Sequence, residues 1–261
     1  MRKALGILGG LGPLASADFL LSIYEQNIGK TEQEAPTLVL YSDPSFPDRT
    51  EAFLQGKEHL LVGPLQTALE RLDSCDVTRL TIACITIHHL LPRLSGKIRE
   101  RIISLIDITL DAVVASQRPA LLLATTGTRH MRIFEKNDHW PEAVPYVVFP
   151  DDQDQQKLHQ YIYRHIKANA TCGPLVSFLG SLCQKYGVEQ LIAGCTELHR
   201  VTREAAAEPE RLQARMIDPL MILAHNYQEY LKEESEVYGR LCKTRTSASE
   251  AQPAANSFTT A

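Results

Sequence analysis

Short apolar runs alternate along the chain with longer segments of helical periodicity. The apolar runs predict eight buried strands, at residues 4–9, 37–42, 79–84, 103–107, 119–125, 145–150, 189–195 and 215–218. Helical spacing occupies stretches between them, at residues 14–28, 50–73, 153–168 and 174–186. This alternation predicts an α/β protein with mostly parallel sheets, because parallel strands buried on both faces read as continuous apolar runs.

The second half of the chain repeats the plan of the first. A strand running into a Gly-containing turn opens each half, "ILGGLGP" and then "LLATTGT", and a later strand of each half delivers a cysteine, in "TIACIT" and "LIAGCTE". We therefore expect two similar, pseudo-symmetric α/β domains, residues 1–112 and 113–232, with a site in the cleft between them and the last helix packing back on the first domain. Residues 233–261 are charged, then polar and aperiodic, which predicts a disordered tail without a catalytic role.

Composition narrows the class of protein. The chain has 261 residues, 44% of them hydrophobic and 22% charged, which is ordinary for a soluble globular protein. A net charge of −4 provides no general basic patch for nucleic acid or anionic lipid, and no apolar run approaches the ~20 residues of a membrane span. The six cysteines are scattered without a C-x-x-C pair, so we expect reduced thiols and a cytoplasmic location. The Cys and His residues show no metal-binding spacing, and no metal site is expected.

Cys84 and Cys195 both follow a predicted parallel strand, where α/β sheets place their ligand crevices. One buried cysteine is usually an inert core residue. Two in matching contexts, facing each other across a cleft, would suit the transfer of a proton from one face of a carbon to the other. One thiolate would take the proton and the other thiol would return one.

Three further features leave alternatives open. Gly10-x-Gly12-x-x-Ala15 fits a dinucleotide fingerprint and favours an oxidoreductase, although Asp43 follows the next strand later than that motif requires. A turn at a helix N-terminus suits the carboxylate of a small substrate equally well. Arg49 and Lys167 are candidate carboxylate partners, and each is also compatible with an ordinary solvated position.

Taken in order, these blocks resemble the aspartate/glutamate racemases, the cofactor-independent amino-acid racemases. The similarity covers nearly all of residues 3–230 and includes "GILGGLGP", "SDPSFPDRTEAF", "ACITIHH", "LLATTGT", "LIAGCTEL" and "IDPLMILA". It implies two α/β domains, usually in a homodimer, acting on a small amino acid with no cofactor, nucleic acid or membrane. It also implies roles for nine residues: Cys84 and Cys195 as acid and base, Arg49 and Lys167 on the side-chain carboxylate, Thr86, Thr128 and Thr196 on the α-carboxylate and ammonium, and Gly10 and Glu197 in support.

The sequence departs from the family pattern beside the first cysteine. Family members typically read Cys-Asn-Thr, whereas this chain has Ile85 between Cys84 and Thr86. The lost amide removes a donor and an acceptor. Inversion of aspartate or glutamate stays the leading hypothesis; isomerisation of another dicarboxylate and amino-acid binding without chemistry stay open. His88 and His89 are expected to belong to the scaffold.

Overall fold

The computed structural model describes residues 3–167, 172–208, 212 and 214–232. It contains eight strands: β1 Ala4–Gly9, β2 Thr37–Ser42, β3 Arg79–Ile82, β4 Ile102–Ile103, β5 Ala120–Ala124, β6 Val147–Val148, β7 Gln190–Gly194 and β8 Arg215–Ile217. The helices of the described residues are α1 Pro13–Asn27, α2 Arg49–Leu54, α3 His59–Asp73, α4 Gly96–Arg99, α5 Leu105–Ser116, α6 Thr126–His130, α7 Trp140–Ala143, α8 Asp152–Tyr161, α9 Gly173–Tyr186, α10 Leu198–Ala207, α11 Pro219–His225 and α12 Tyr227–Tyr230. None of these helices is long and apolar enough to cross a membrane.

The strands form two parallel four-stranded sheets with the same topology. Their orders are β2-β1-β3-β4 and β6-β5-β7-β8. In each sheet the chain moves to one side of the first strand and then to the other. The crevice of an α/β sheet opens at that switch point, outside the carboxyl ends of the strands. The predicted pair of pseudo-symmetric α/β domains is confirmed.

All eight predicted strands are present, but several segments differ from their predicted lengths. The strand predicted at 145–150 is only Val147–Val148, because a 3₁₀ turn at Val144–Tyr146 precedes it, and the helix predicted at 153–168 is α-helical only to Tyr161 and continues as a π-helical turn. The strand predicted at 103–107 ends at Ile103, because the Ser104 side chain accepts a hydrogen bond from the Asp107 N–H and caps α5. The helix predicted at 50–73 is two helices, broken where Gly56 takes a φ of 66°. Glycine adopts this left-handed conformation without a Cβ penalty.

Three clusters of buried apolar side chains make up the core. One lies with α3 on the first sheet and one with α8 and α9 on the second. The third joins both sheets, with side chains from α1, α5 and α11. Within it α11 packs against α1, and the Tyr227 hydroxyl donates to the Thr37 carbonyl at 3.2 Å. The division predicted between residues 112 and 113 falls inside α5 and stays a prediction, and the predicted tail at 233–261 lies outside the described residues.

Candidate active site

A small cavity lies at the carboxyl ends of both sheets, between the domains, and its side chains leave only about 10 Å³ of free space. That is about the space that one water molecule needs. Cys84 and Cys195 both line the cavity. The other lining residues are Leu11, Arg49, Thr50, Ile85, Thr86, Thr125, Tyr163, Lys167, Thr196 and Glu197.

Cys84 follows β3 and is held by the backbone around it. Its carbonyl oxygen lies 2.8 Å from His88 Nδ1, and His88 Nε2 accepts the Leu105 N–H at 3.2 Å. Burial lowers the pKa of His88, which favours the neutral ring that accepts this bond. His88 thus fixes the loop that carries Cys84, while its ring lies away from the cavity. This agrees with the scaffold role predicted for it.

Cys195 follows β7 and is hydrogen-bonded to a carboxylate. Its thiol donates to Glu197 Oε2 at 2.8 Å. Burial and the negative charge of Glu197 together raise the pKa of Cys195 well above its ordinary range. Cys195 is therefore a protonated thiol in this arrangement.

The other oxygen of Glu197 is buried without a hydrogen-bond partner. A Cβ placed on Gly12 would lie 2.5 Å from this Oε1 atom, so a glycine is needed there to admit the carboxylate. A buried carboxylate oxygen without a donor is costly. An ammonium or other donor entering the cavity would satisfy it.

Arg49 is buried at the first turn of α2, where Asp48 caps the helix. Its terminal nitrogens donate to the carbonyl oxygens of Leu11 and Pro47, which fixes the guanidinium, but its Nε has no partner. Burial opposes the charge of Arg49, but the nearby Cys84, with contributions from acidic neighbours, outweighs this and raises its pKa. The site therefore holds a permanent cation with one unused donor beside Cys84.

Lys167 supplies a second cation from the other domain. It follows a π-helical turn, Ile162–Ile166, and its Nζ lies 3.8 Å from the centre of the Tyr163 ring and 3.5 Å from Asp48 Oδ2. Burial disfavours the ammonium, but the charge of Glu197 leads the neighbours that raise the pKa of Lys167. Like Arg49, Lys167 stays charged at neutral pH.

The threonines link the two domains around the cysteines. Thr86 Oγ1 and Thr128 Oγ1 lie 2.9 Å apart, and Thr128 is further bonded to Thr125. Thr196 donates its hydroxyl to the Ala83 carbonyl at 3.1 Å, which ties the strand end carrying Cys195 to the one carrying Cys84. Of the three predicted threonines, Thr86 and Thr196 line the cavity, and Thr128 lies behind Thr86.

The glycine turn after β1 is filled by protein atoms. A Cβ at Gly10, which has a φ of 85°, would lie 2.3 Å from the Asp43 backbone nitrogen, and Glu197 occupies the space above Gly12. These contacts account for both glycines. A carboxylate at this turn also repels a pyrophosphate, so the residues present do not fit the dinucleotide that the oxidoreductase alternative requires. Gly10 itself lines a groove next to the cavity, together with Arg49 and Lys167.

Asp48, Tyr163 and Leu11 also border the site, and the sequence reasoning did not select them. Tyr163 lies four positions before Lys167, so the two share a helical face. Because Lys167 was predicted to face the cleft, Tyr163 could have been predicted there as well. Asp48 precedes Arg49 and could have been recognised as the cap of α2. No signal in the sequence points to Leu11, which takes part through its carbonyl.

Within the described residues, no group of His, Cys, Asp and Glu side chains is arranged to hold a metal ion. The five cysteines among them, Cys75, Cys84, Cys172, Cys183 and Cys195, are all free thiols.

Comparison with known proteins decides the family. Residues 8–226 match the family model described as Asp/Glu/Hydantoin racemase. The chain belongs to this family. The matched segment begins near the end of β1 and extends past α11, and so contains seven complete strands and both cysteines of this Asp/Glu/hydantoin racemase-family protein.

Solved structures share the fold at low sequence identity. The aspartate racemase of Picrophilus torridus is 23% identical with a TM-score of 0.69, covering 90% of this chain and 98% of that one. An aspartate racemase homologue from Pyrococcus horikoshii OT3 is 22% identical with a TM-score of 0.64, covering 88% and 99%. The glutamate racemase of Francisella tularensis subsp. tularensis SCHU S4, in complex with D-glutamate, is 16% identical with a TM-score of 0.57, covering 94% and 82%. These similarities establish the two-domain fold.

A sequence relative adds no function. An uncharacterized protein in the pnlA 3′ region of Pectobacterium carotovorum subsp. carotovorum is 35% identical over 107 residues, which is 40% of this chain and 70% of that protein.

Proposed function

We propose that this racemase-family protein inverts the α-carbon of aspartate or glutamate by two-thiol proton transfer, without pyridoxal phosphate. The observation that carries the proposal is that two buried cysteines, one from each domain, line one cavity together with two fixed cations. A thiolate on one side and a thiol on the other can remove an α-proton and return one to the opposite face.

The charges in the cavity favour a dicarboxylic amino acid. One cation would suffice for an α-carboxylate, whereas Arg49 and Lys167 together can serve two carboxylates. The unpartnered Arg49 Nε and Glu197 Oε1 are a buried donor and a buried acceptor. A carboxylate would satisfy the first and the α-ammonium the second, so an acidic amino acid removes two buried polar deficits at once.

The two cysteines lie in different environments, and this difference suggests which cysteine removes the α-proton in each direction of the inversion. Cys84 lies near the Arg49 guanidinium, whereas the Cys195 thiol donates a hydrogen bond to Glu197. One enantiomer would lose its α-proton to Cys84 and receive a proton from Cys195. The reverse reaction starts from the opposite protonation state. Lys167, held in the same buried cavity, would stabilise the carbanion formed between the two steps.

The experiment is an inversion assay on the purified protein with no added cofactor. Both enantiomers of aspartate, glutamate and alanine, together with one 5-substituted hydantoin, are incubated and separated by chiral chromatography. Inversion of aspartate or glutamate, faster than that of alanine, supports the proposal. Inversion of alanine or the hydantoin alone would contradict the role given to the two cations. No inversion of any of them would contradict the racemase assignment and favour the dicarboxylate-isomerase or binding alternatives. The homodimer and the cytoplasmic location stay predictions.

A further inference from the structure

Several contacts cross the cleft around the cavity, and one of them lies at its wall. The Tyr163 hydroxyl, from the second domain, lies 3.0 Å from both carboxylate oxygens of Asp48, which belongs to the first. Burial raises the pKa of Tyr163 to about 12, so the phenol keeps its proton at neutral pH. A bond from a hydroxyl to a carboxylate is stronger than one between neutral groups.

Tyr163 separates the cavity from the surface. Together with Thr50 it lines both the cavity that contains the cysteines and a surface hollow on the other side. Asp48, Glu51, Leu54 and His159 line that hollow as well. Thr50 and Tyr163 therefore lie between the hollow and the cavity that contains the cysteines.

Both ends of this bond are already fixed by other contacts. Asp48 caps α2 by accepting the Glu51 N–H at 2.9 Å, and burial of its carboxylate is outweighed by this bond and by Lys167, so that its pKa is lowered. Tyr163 lies in the π-helical turn, with Lys167 Nζ 3.8 Å from its ring centre. Single π-helical turns are frequent at functional sites.

We propose that Tyr163 is a positioning residue: by donating its hydroxyl hydrogen bond to Asp48 across the cleft, it holds the domains closed over the cysteines and fixes Lys167 beside them. Its role in catalysis rests on the proposed function, whereas its role in closure does not. Lys167 then meets its substrate carboxylate from a position set by the Tyr163 ring and the Asp48 charge.

The test compares alkylation rates of individual cysteines by iodoacetamide, followed by mass spectrometry, in the full chain without substrate. Tyr163→Phe keeps the ring beside Lys167 but removes the hydroxyl. We expect Cys84 and Cys195 to react about tenfold faster in this variant, the size expected for one hydrogen bond to a charged group. Exposed Cys75 should react at an unchanged rate.

Buried Cys172 separates opening of the cleft from general unfolding. It is 1% exposed and does not line the cavity. If Cys172 accelerates as much as Cys84 and Cys195, the variant has loosened the whole protein and the proposal is overturned. The proposal is equally overturned if neither cleft cysteine accelerates.

A matched control removes a similar bond elsewhere. The Tyr186 hydroxyl donates to Asp154 Oδ2 at 2.9 Å, within the second domain and away from the cleft. Tyr186→Phe should leave the alkylation rates of Cys84 and Cys195 unchanged. If it accelerates them as much as Tyr163→Phe does, the bond across the cleft is not what protects these cysteines, and the proposal is overturned.

A second, milder variant allows the same alkylation experiment if Tyr163→Phe does not fold. Asp48→Asn retains a cap for α2 and an acceptor for Tyr163 but loses the charge, so we expect a smaller acceleration than for Tyr163→Phe. In the inversion assay, Tyr163→Phe should raise KM for the acidic substrate more than it lowers kcat. If the wild type inverts no substrate, the proposed function fails, while the alkylation rates still decide whether Tyr163 closes the cleft.

Discussion

The two halves of the site are built on one plan and differ in charge. Each cysteine follows the third strand of its sheet, and each is followed four positions later by a buried histidine, His88 or His199. His88 contacts backbone atoms, whereas His199 Nδ1 lies 2.7 Å from Asp218 Oδ2. The first half thus surrounds its cysteine with neutral contacts and the Arg49 cation.

In the second half, a carboxylate lies next to the cysteine, together with the Lys167 cation. Glu197 accepts a hydrogen bond from the Cys195 thiol. Nearby, the buried pair of His199 and Asp218 joins α10 to the start of α11. The Ser22 hydroxyl of α1 lies 3.0 Å from His199 Nε2. The duplicated fold therefore places a carboxylate against one of two chemically identical thiols and a guanidinium near the other. Symmetry of the fold therefore does not imply symmetry of the charges around the two thiols.

The largest expected effect comes from removing either thiol. Cys84→Ser and Cys195→Ser should each lower inversion in both directions about 10³-fold or more, since a serine hydroxyl is a far weaker acid than a thiol and is hardly ionised near neutral pH. Chiral chromatography with the substrate found in the inversion assay measures it. Cys183→Ser, outside the cavity, is the control. Full activity in either cleft variant would break the two-thiol scheme.

A smaller effect should follow from neutralising Glu197. Its charge raises the pKa of Cys195, so Glu197→Gln should lower that pKa and move the pH midpoint of Cys195 alkylation downward. The midpoint for exposed Cys75 should not move. An unchanged or higher midpoint for Cys195 would show that Glu197 does not hold it as a thiol.

The smallest effect concerns stability in acid. Burial opposes ionisation of Asp218, but His199 outweighs it and lowers the Asp218 pKa. A carboxylate whose folded pKa is lowered stabilises the protein above its unfolded pKa, about 4, and this stability is lost as pH falls further. Asp218→Asn should therefore cost about 3 kcal/mol of unfolding free energy at pH 7, a gap that narrows below about pH 4.

Asp111→Asn is the matched control for this loss. Its carboxylate lies at the same 2.7 Å from His139 Nδ1, but the Asp111 side chain is 67% exposed. An exposed pair is screened by solvent, so its removal should change the unfolding free energy by less than about 1 kcal/mol. The unfolding free energies are measured by denaturant unfolding. Equal losses in the two variants would show that burial does not make the His199–Asp218 pair more stabilising than the His139–Asp111 pair.

Patterns that repeat along the chain predicted the fold well. The eight strands and the duplicated plan follow from apolar periodicity and from the recurrence of a glycine turn and a cysteine. The end of β4 was missed because a capping serine, Ser104, overrides the apolar run that continues into α5. Local hydrogen bonding decided that boundary, and periodicity does not report it.

The residues of the candidate site could be predicted from the sequence where the type of side chain itself indicates the chemistry. Cys84, Cys195, Arg49 and Lys167 all line one cavity. The contacts between them were not predictable, because the bond of Cys195 with Glu197 and that of Tyr163 with Asp48 depend on how loops and domains meet. Gly12 illustrates the difference: its spacing suggested a nucleotide, and its actual neighbour is a carboxylate.

The most direct test of the account is the isotope pattern of inversion in deuterated water. Each enantiomer of the active substrate is followed separately, at early times, by NMR and chiral chromatography. In the two-thiol scheme, one cysteine removes the α-proton and the other supplies a deuteron that comes from the solvent. We therefore expect the product to carry deuterium at the α-carbon while the remaining substrate keeps its proton, in both directions. Deuterium entering substrate and product at equal rates, or a product that retains the original proton, would contradict transfer between two distinct acids and bases.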